Sequence, residues 1–207
     1  MIDYITISEP CESSLTEKRS EFIAQLFPCK TAEEALAFVD AVKAKHHKAR
    51  HNVWAYVLRD GSSRYSDDGE PQGTGGVPVL SVLQKAQLTD LCCVVTRYFG
   101  GVLLGASGLT RAYSGAAAQA VQSAQIQHFY EAHRVRLSID YTHYGKISYL
   151  LPEFEILDAG SDFSDKVTLL FDIKTALYPQ LEARLTEYFG GKPDLECIET
   201  HFVVFPE

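Results

Sequence analysis

No stretch of this chain approaches the roughly 20 consecutive apolar residues that a membrane-spanning helix needs, and its opening, MIDYITISEP, lacks a basic region followed by an apolar run. We therefore expect no membrane span and no secretory leader, and read the protein as cytoplasmic. Cysteine is scarce: five residues in 207, with no Cys-x-x-Cys pair and no regular spacing, which excludes a disulfide framework. Cys92 and Cys93 are adjacent within an apolar run, where they face opposite sides of a sheet, and are read as reduced packing thiols. Positive charge is also in deficit, 19 Lys and Arg against 27 Asp and Glu, for a net charge of -8. The imbalance is uneven: through Tyr130 there are 12 cations and 13 acids, and from Glu131 onward 7 and 14. The back half is thus a poor match for nonspecific nucleic-acid binding, which needs a cationic surface, so any polyanion contact falls to the front half.

Three chemical signatures fail, each at an identifiable residue. Gly100-x-x-x-x-Gly105-Ala106-Ser107 follows a strand and opens a helix like a phosphate-binding loop, but Ala106 stands where the lysine should be. Gly73-Thr74-Gly75 has Pro78 in place of the third glycine of a dinucleotide fingerprint. Gly105-Ala106-Ser107-Gly108-Leu109 has Leu109 where a nucleophile elbow needs glycine. No catalytic residue and no cofactor is expected.

At 46% hydrophobic and 22% charged residues, the chain has the composition of an ordinary folded protein. Its organising stretch is Asp90 to Ala124. A continuously apolar run, Leu91 to Thr96, reads as a strand covered on both faces and ended by Arg97. The Gly100-Gly101 turn follows, then a small-residue helix with Ser107 as N-cap, in which Leu109, Ala112, Tyr113, Ala116, Ala120 and Val121 recur at the helical period. Upstream, one or two strands break near Pro10 and close at Pro28, and Thr31 with Glu34 forms a capping box for a helix to about His46. A strand from Asn52 to Arg59 and its return at Arg64 to Ser66 flank the hairpin signal Asp60-Gly61. The segment SDDGEPQGTGGVP, Ser66 to Pro78, is too rich in Gly, Pro and acids for regular structure, and a loop of that length is usually functional. Val79 to Ala86 is a short helix.

Beyond Ala124 the pattern becomes strand (Val135–Ile139), helix (Tyr144–Leu151), strands at Glu155–Leu157 and Val167–Ile173 around a turn at Gly160 to Asp165, helix (Leu177–Phe189) and strand (Leu195–Phe205). This βαββαβ order is the split βαβ of a ferredoxin-like domain. We expect an α+β protein of two sandwich-type domains, residues 1–130 and 131–207.

The chemistry-bearing residues are His51, Ser66, Asp67, Asp68, Gly69, Glu70, Gly73, Thr74, Arg97, Tyr98, Gly100, Gly101, Ser107 and Arg111. Asp67, Asp68 and Glu70, with His51, have the oxygen and imidazole ligands of a divalent-metal site, which a hydrolase would use. The same acids cap turns or pair with Arg97 and Arg111, in which case the cluster is structural. A third reading is anion capture by the glycine-loop amides and the helix start at Ser107, helped by the two arginines. Lys43, Lys45, Lys48 and Arg50 add peripheral positive charge, which as a helix end also suits the dipole.

The blocks KRSEFIA, ARHNVWAYVL, YSDDGEPQGTGGVPVL and VVTRYFGGVLLGASGLTRAY resemble, in order and spacing, the IMPACT/YigZ family, also called uncharacterised protein family 29. The resemblance implies a front domain with a mixed sheet and helices packed on one side, similar to a ribosomal small-subunit protein and to domain four of elongation factor G. It also implies the ferredoxin-like back domain of the bacterial members. Eukaryotic members are translation regulators that bind the activator of the kinase phosphorylating initiation factor two. The expectation that follows is a non-enzymatic regulatory protein linked to translation, binding RNA, the ribosome or a translation-associated protein through the front-domain glycine and acid face. A metal-dependent hydrolase and an interaction module using the acidic back domain are the alternatives.

Overall fold

A computed structural model describes residues 3–206 of the chain. The chain divides into two compact units, one spanning Tyr4–Gln127 and the other running from His128 and including Asp3.

In the first unit the strands are β1 (Tyr4–Ile7), β2 (Cys11–Glu17), β3 (Ser20–Pro28), β4 (His51–Val57), β5 (Ser63–Ser66) and β6 (Leu91–Tyr98). The helices are α1 (Ala32–Lys45), α2 (Gly76–Lys85) and α3 (Ala106–Ser123). Five strands form one sheet in the order β2-β3-β6-β4-β5. At its centre β6 is buried from Leu91 through Arg97, which explains its unbroken apolar character: both faces are covered. On one face α2 and α3 pack over Phe22, Leu26, Val53, Ala55, Cys93 and Val95. On the other, α1 lays Ala35, Val39 and Val42 over Tyr56, Cys92 and Val94.

The expected α+β class is the one observed, but two details of the front sheet differ. All four ladders are antiparallel rather than mixed, because β2–β3 and β4–β5 are tight hairpins and β6 inserts between β3 and β4 against both. Helices cover both faces rather than one, because α1 carries its own apolar stripe and must bury it against the sheet. Thr31 caps α1 by accepting from the Glu34 amide at 3.2 Å, whereas the Glu34 carboxylate accepts from Lys30 N–H at 2.6 Å.

The second unit contains β7 (Ile126–Ile139), α4 (Tyr141–Leu150), β8 (Leu157–Phe163), β9 (Val167–Lys174), α5 (Tyr178–Phe189) and β10 (Leu195–Val204). The boundary between units falls within β7. Its strands run β10-β7-β9-β8, all antiparallel, the strand arrangement of the expected ferredoxin-like fold. Where a turn was expected at Gly160 to Asp165, β8 instead continues to Phe163 through a bulge between Asp158 and Gly160. This is an edge strand exposed from Asp158 onward, so it has no apolar alternation to betray it.

All five cysteines are free. Burial pushes the Cys29 and Cys93 thiols up to about 12, and Cys92 is raised for the same reason. Among the described residues no helix is long and apolar enough to cross a membrane.

Helix α3 sits close to the sheet because Ala112, Ala116, Ala117 and Ala120 are essentially buried. Ala116→Leu should therefore overpack that contact and lower stability by about 1–3 kcal/mol in urea unfolding. Gln119→Leu on the exposed face of the same helix should change it little.

Candidate functional site

The site grows from the end of β6. Directly opposite residues of antiparallel strands share a face, and Arg97 lies opposite Phe22 of β3 on one side and His51 of β4 on the other. The three side chains therefore stand in a row. Arg97 is buried, with its guanidinium 5.5 Å from the ring centres of both Phe22 and Phe99. A buried guanidinium needs a counter-charge, and Glu70 from the acid and glycine loop supplies it at 2.7 Å. The same Glu70 oxygen, Oε1, accepts from the Tyr113 hydroxyl of α3 at 2.8 Å. Burial, reinforced by the Glu70 charge and hydrogen bond, pushes the Tyr113 phenol up, so it remains a donor. Arg97 Nη2 reaches Ser20 Oγ at 3.5 Å, and its Nε is buried with no hydrogen-bond partner among the described residues.

The other two acids of the loop have separate duties. Asp67 accepts from the backbone amides of Gly73, Gly75 and Gly76 at 2.8, 3.0 and 2.8 Å, closing the loop onto the start of α2. Burial acts to raise its pKa, but these amides outweigh it and hold the carboxyl below the ordinary aspartate value. Asp68 pairs with Lys43 Nζ at 2.7 Å and accepts from Asn52 N–H at 2.7 Å, while the Asp68 amide donates to Ser66 Oγ at 3.1 Å. His51 Nδ1 bonds the Asp68 carbonyl oxygen at 2.9 Å, beside Gly69. Thr74 is buried with its hydroxyl donating to the Pro71 carbonyl.

The double-glycine bend is fixed by a neighbouring turn. Lys18 and Arg19, which join β2 to β3, both have left-handed backbone (φ 44° and 65°), an uncommon conformation for such side chains. The Arg19 carbonyl lies where a Cβ on Gly100 would meet it at 1.9 Å, so only glycine fits there, and Gly100 N–H donates to Ser20 Oγ at 3.2 Å.

Between the loop and this bend lies an open recess of about 240 Å³ lined by Arg50, His51, Glu70, Arg97, Phe99 and Leu103. His51, Glu70 and Arg97 of the expected set thus meet there, and Gly100 and Gly101 adjoin Phe99 along the chain. Other members stand elsewhere. Tyr98 points to the opposite face of the sheet and bonds His46 Nδ1 at 2.9 Å. Ser107 is not the N-cap: α3 begins at Ala106 with Gly105 as cap, and Ser107 is exposed within its first turn. Arg111 is exposed and joins no carboxylate among the described residues, so of the two arginines it is Arg97 that pairs with the loop acids. Anion capture by the glycine-loop amides is superseded, because the anion they hold is the chain's own Asp67. The metal-site alternative fails for a related reason. Asp67, Asp68 and Glu70 turn to three different sets of donors, and among the described residues no three His, Cys, Asp or Glu side chains converge as ligands.

Sequence reasoning missed Phe99 and Leu103 as lining residues, Ser20 and Tyr113 as supports, and the Lys18-Arg19 turn. The apolar pair was legible as residues adjoining the glycine bend, and the basic turn as the start of KRSEFIA.

Removing Glu70 would strand Arg97. Glu70→Ala should lower stability by about 3–5 kcal/mol, against about 1 kcal/mol for Tyr113→Phe, both read by urea unfolding. For Asp67, a folded pKa below the unfolded value means stability that is present above the unfolded value and lost as pH falls through the folded one. Asp67→Asn should therefore be less stable than the parent at neutral pH. The difference should close as pH falls from about 4 downward in an acid titration followed by circular dichroism.

Comparison with known proteins agrees with this architecture. Residues 18–121 match the Impact N-terminal domain, and residues 137–192 match a domain of unknown function, DUF1949. The chain is 36% identical over 195 residues to IMPACT family member YvyE of Bacillus subtilis, covering 93% of this chain and 90% of that protein. It is 35% identical over 186 residues to IMPACT family member YigZ of Escherichia coli, covering 88% and 91%. A solved structure described only as that of a hypothetical protein superposes with a TM-score of 0.61 at 32% identity, over 95% of this chain and 97% of that one.

Proposed function

Because this chain belongs to the IMPACT family, we propose that it is a cytoplasmic, non-enzymatic regulatory protein linked to translation that contacts RNA through the recess of its first unit. The observation that carries this reading is the pairing, at one recess, of exposed apolar surface with positive charge that no carboxylate among the described residues takes up. Phe99 is 50% and Leu103 84% exposed, a poor arrangement for a core and a good one for stacking an unpaired base. Beside them Arg50 is exposed, while the charge of Arg97 is balanced within the protein by Glu70.

The left-handed turn supports the same reading. It holds Lys18 and Arg19, both exposed, next to the bend that carries Phe99, and strained backbone of this kind collects at functional sites. The link to translation rests on the resemblance to eukaryotic regulators. The non-enzymatic reading rests on acids and a histidine that are each engaged in holding the loop. The second unit, which carries most of the acidic excess, takes no part in the RNA contact.

Fluorescence anisotropy with a single-stranded RNA at several salt concentrations tests this. Affinity should fall linearly on logarithmic axes as salt rises, by about 0.7 of a power per phosphate neutralised. Arg50→Ala should reduce that slope by about 0.7, the contribution of one phosphate contact. Absence of salt-dependent binding would remove the RNA reading and leave a protein partner as the occupant of this face.

A further inference from the structure

Resting on the RNA reading above, we infer that the recess takes one unstacked nucleobase and that the base it fits is guanine. The recess, about 240 Å³, is smaller than the roughly 300–1,000 Å³ of clefts that hold drug-sized ligands. It accommodates a planar ring system rather than a whole nucleotide. One part of its lining is apolar, Phe99 and Leu103, and the ring of Phe99 is braced by the Arg97 guanidinium 5.5 Å from its centre. Such a braced, half-exposed aromatic is the element on which an unpaired base stacks.

The polar part of the lining selects among bases. Glu70 engages Arg97 and Tyr113 through Oε1 alone, and its Oε2 makes no hydrogen bond among the described residues. His51 Nδ1 bonds a carbonyl oxygen, which only accepts, so Nδ1 carries the hydrogen and Nε2 of the neutral ring keeps its lone pair. Glu70 and His51 both line the recess, and these two acceptors are the ones a bound base meets there. Adenine and cytosine place a donor beside an acceptor on their Watson–Crick edges, and uracil places one donor between two acceptors. Guanine alone places two donors side by side, N1–H and the exocyclic N2 amine. Arg50 lines the same recess and has no carboxylate partner among the described residues, which leaves it for the attached phosphate.

The experiment uses the full chain and four oligouridine hexamers differing at one central position, G, A, C or U, with a fifth carrying inosine, which keeps N1–H and lacks the amine. The guanine oligomer should bind about tenfold or more tightly than the A, C and U oligomers, with inosine between. Phe99→Ala, an exposed substitution, should weaken the guanine oligomer about tenfold with an unchanged salt slope, since stacking releases no counterion. Glu70→Gln should abolish the guanine preference while salt-dependent affinity persists; the parent's own G-against-inosine difference carries the test if that variant does not fold. Equal affinity for all five oligomers overturns the guanine pocket and leaves the RNA reading intact. Binding of none of them at about 50 mM salt, where nonspecific contacts are strong, overturns the RNA reading and this inference with it.

Discussion

The ion pair between Glu70 and Arg97 is the contact on which the first unit's working face depends. Arg97 is carried on the central strand of the sheet, at the point where that strand leaves the core between Phe22 and Phe99. A guanidinium there is tolerable only with an anion against it, and the anion comes from a loop 27 residues earlier in the chain. That requirement sets where the acid and glycine loop must lie. Tyr113 then ties the pair to α3, so strand, loop and helix share one carboxylate.

The rest of the loop follows from the same need for fixed geometry. Three acids within four residues would repel one another if left free. Instead each meets a different donor set: three backbone amides for Asp67, Lys43 and the Asn52 amide for Asp68, Arg97 and Tyr113 for Glu70. A segment that looks like a ligand cage is a set of internal clasps, and the recess is the space they leave beside the glycine bend. The second unit uses a comparable device, with Arg134 gripping the buried Asp172 through two bonds of 2.9 Å, but there it braces the sheet between β7 and β9.

What could be read in advance divides along physical lines. Strand β6 and helix α3 are legible because burial on two faces leaves an uninterrupted apolar run and close packing leaves a periodic row of alanines. The convergence of His51, Glu70 and Arg97 is legible as a cluster of residue types, though not as contacts. The duties of Asp67 and Asp68 are not legible, because they depend on which amides and which lysine the folded loop brings near. The Ser107 assignment misleads because a serine before a helical pattern is a good cap in isolation, whereas Gly105, with φ 72°, turns the chain into the helix two residues earlier. Tyr98 is a different case: side chains alternate along a strand, so its placement on the far face from Arg97 follows from the sequence once both are put in β6. Phe99 and Leu103 escape notice because large apolar residues default to the core, and their place beside the glycine bend is a weak local sign against that default.

The thiols packed into the first sheet give the molecule a built-in clock. Cys29, Cys92 and Cys93 are sealed beneath the sheet's helices with their protons held firmly, and only the thiolate reacts with alkylating or oxidising agents. While the sheet is closed these sulfurs are chemically silent, and they become reactive only in molecules whose central strand has been laid open. The speed at which a thiol reagent labels them, set against that of Cys197 on the surface of the other unit, is then a direct reading of how often the first unit comes apart.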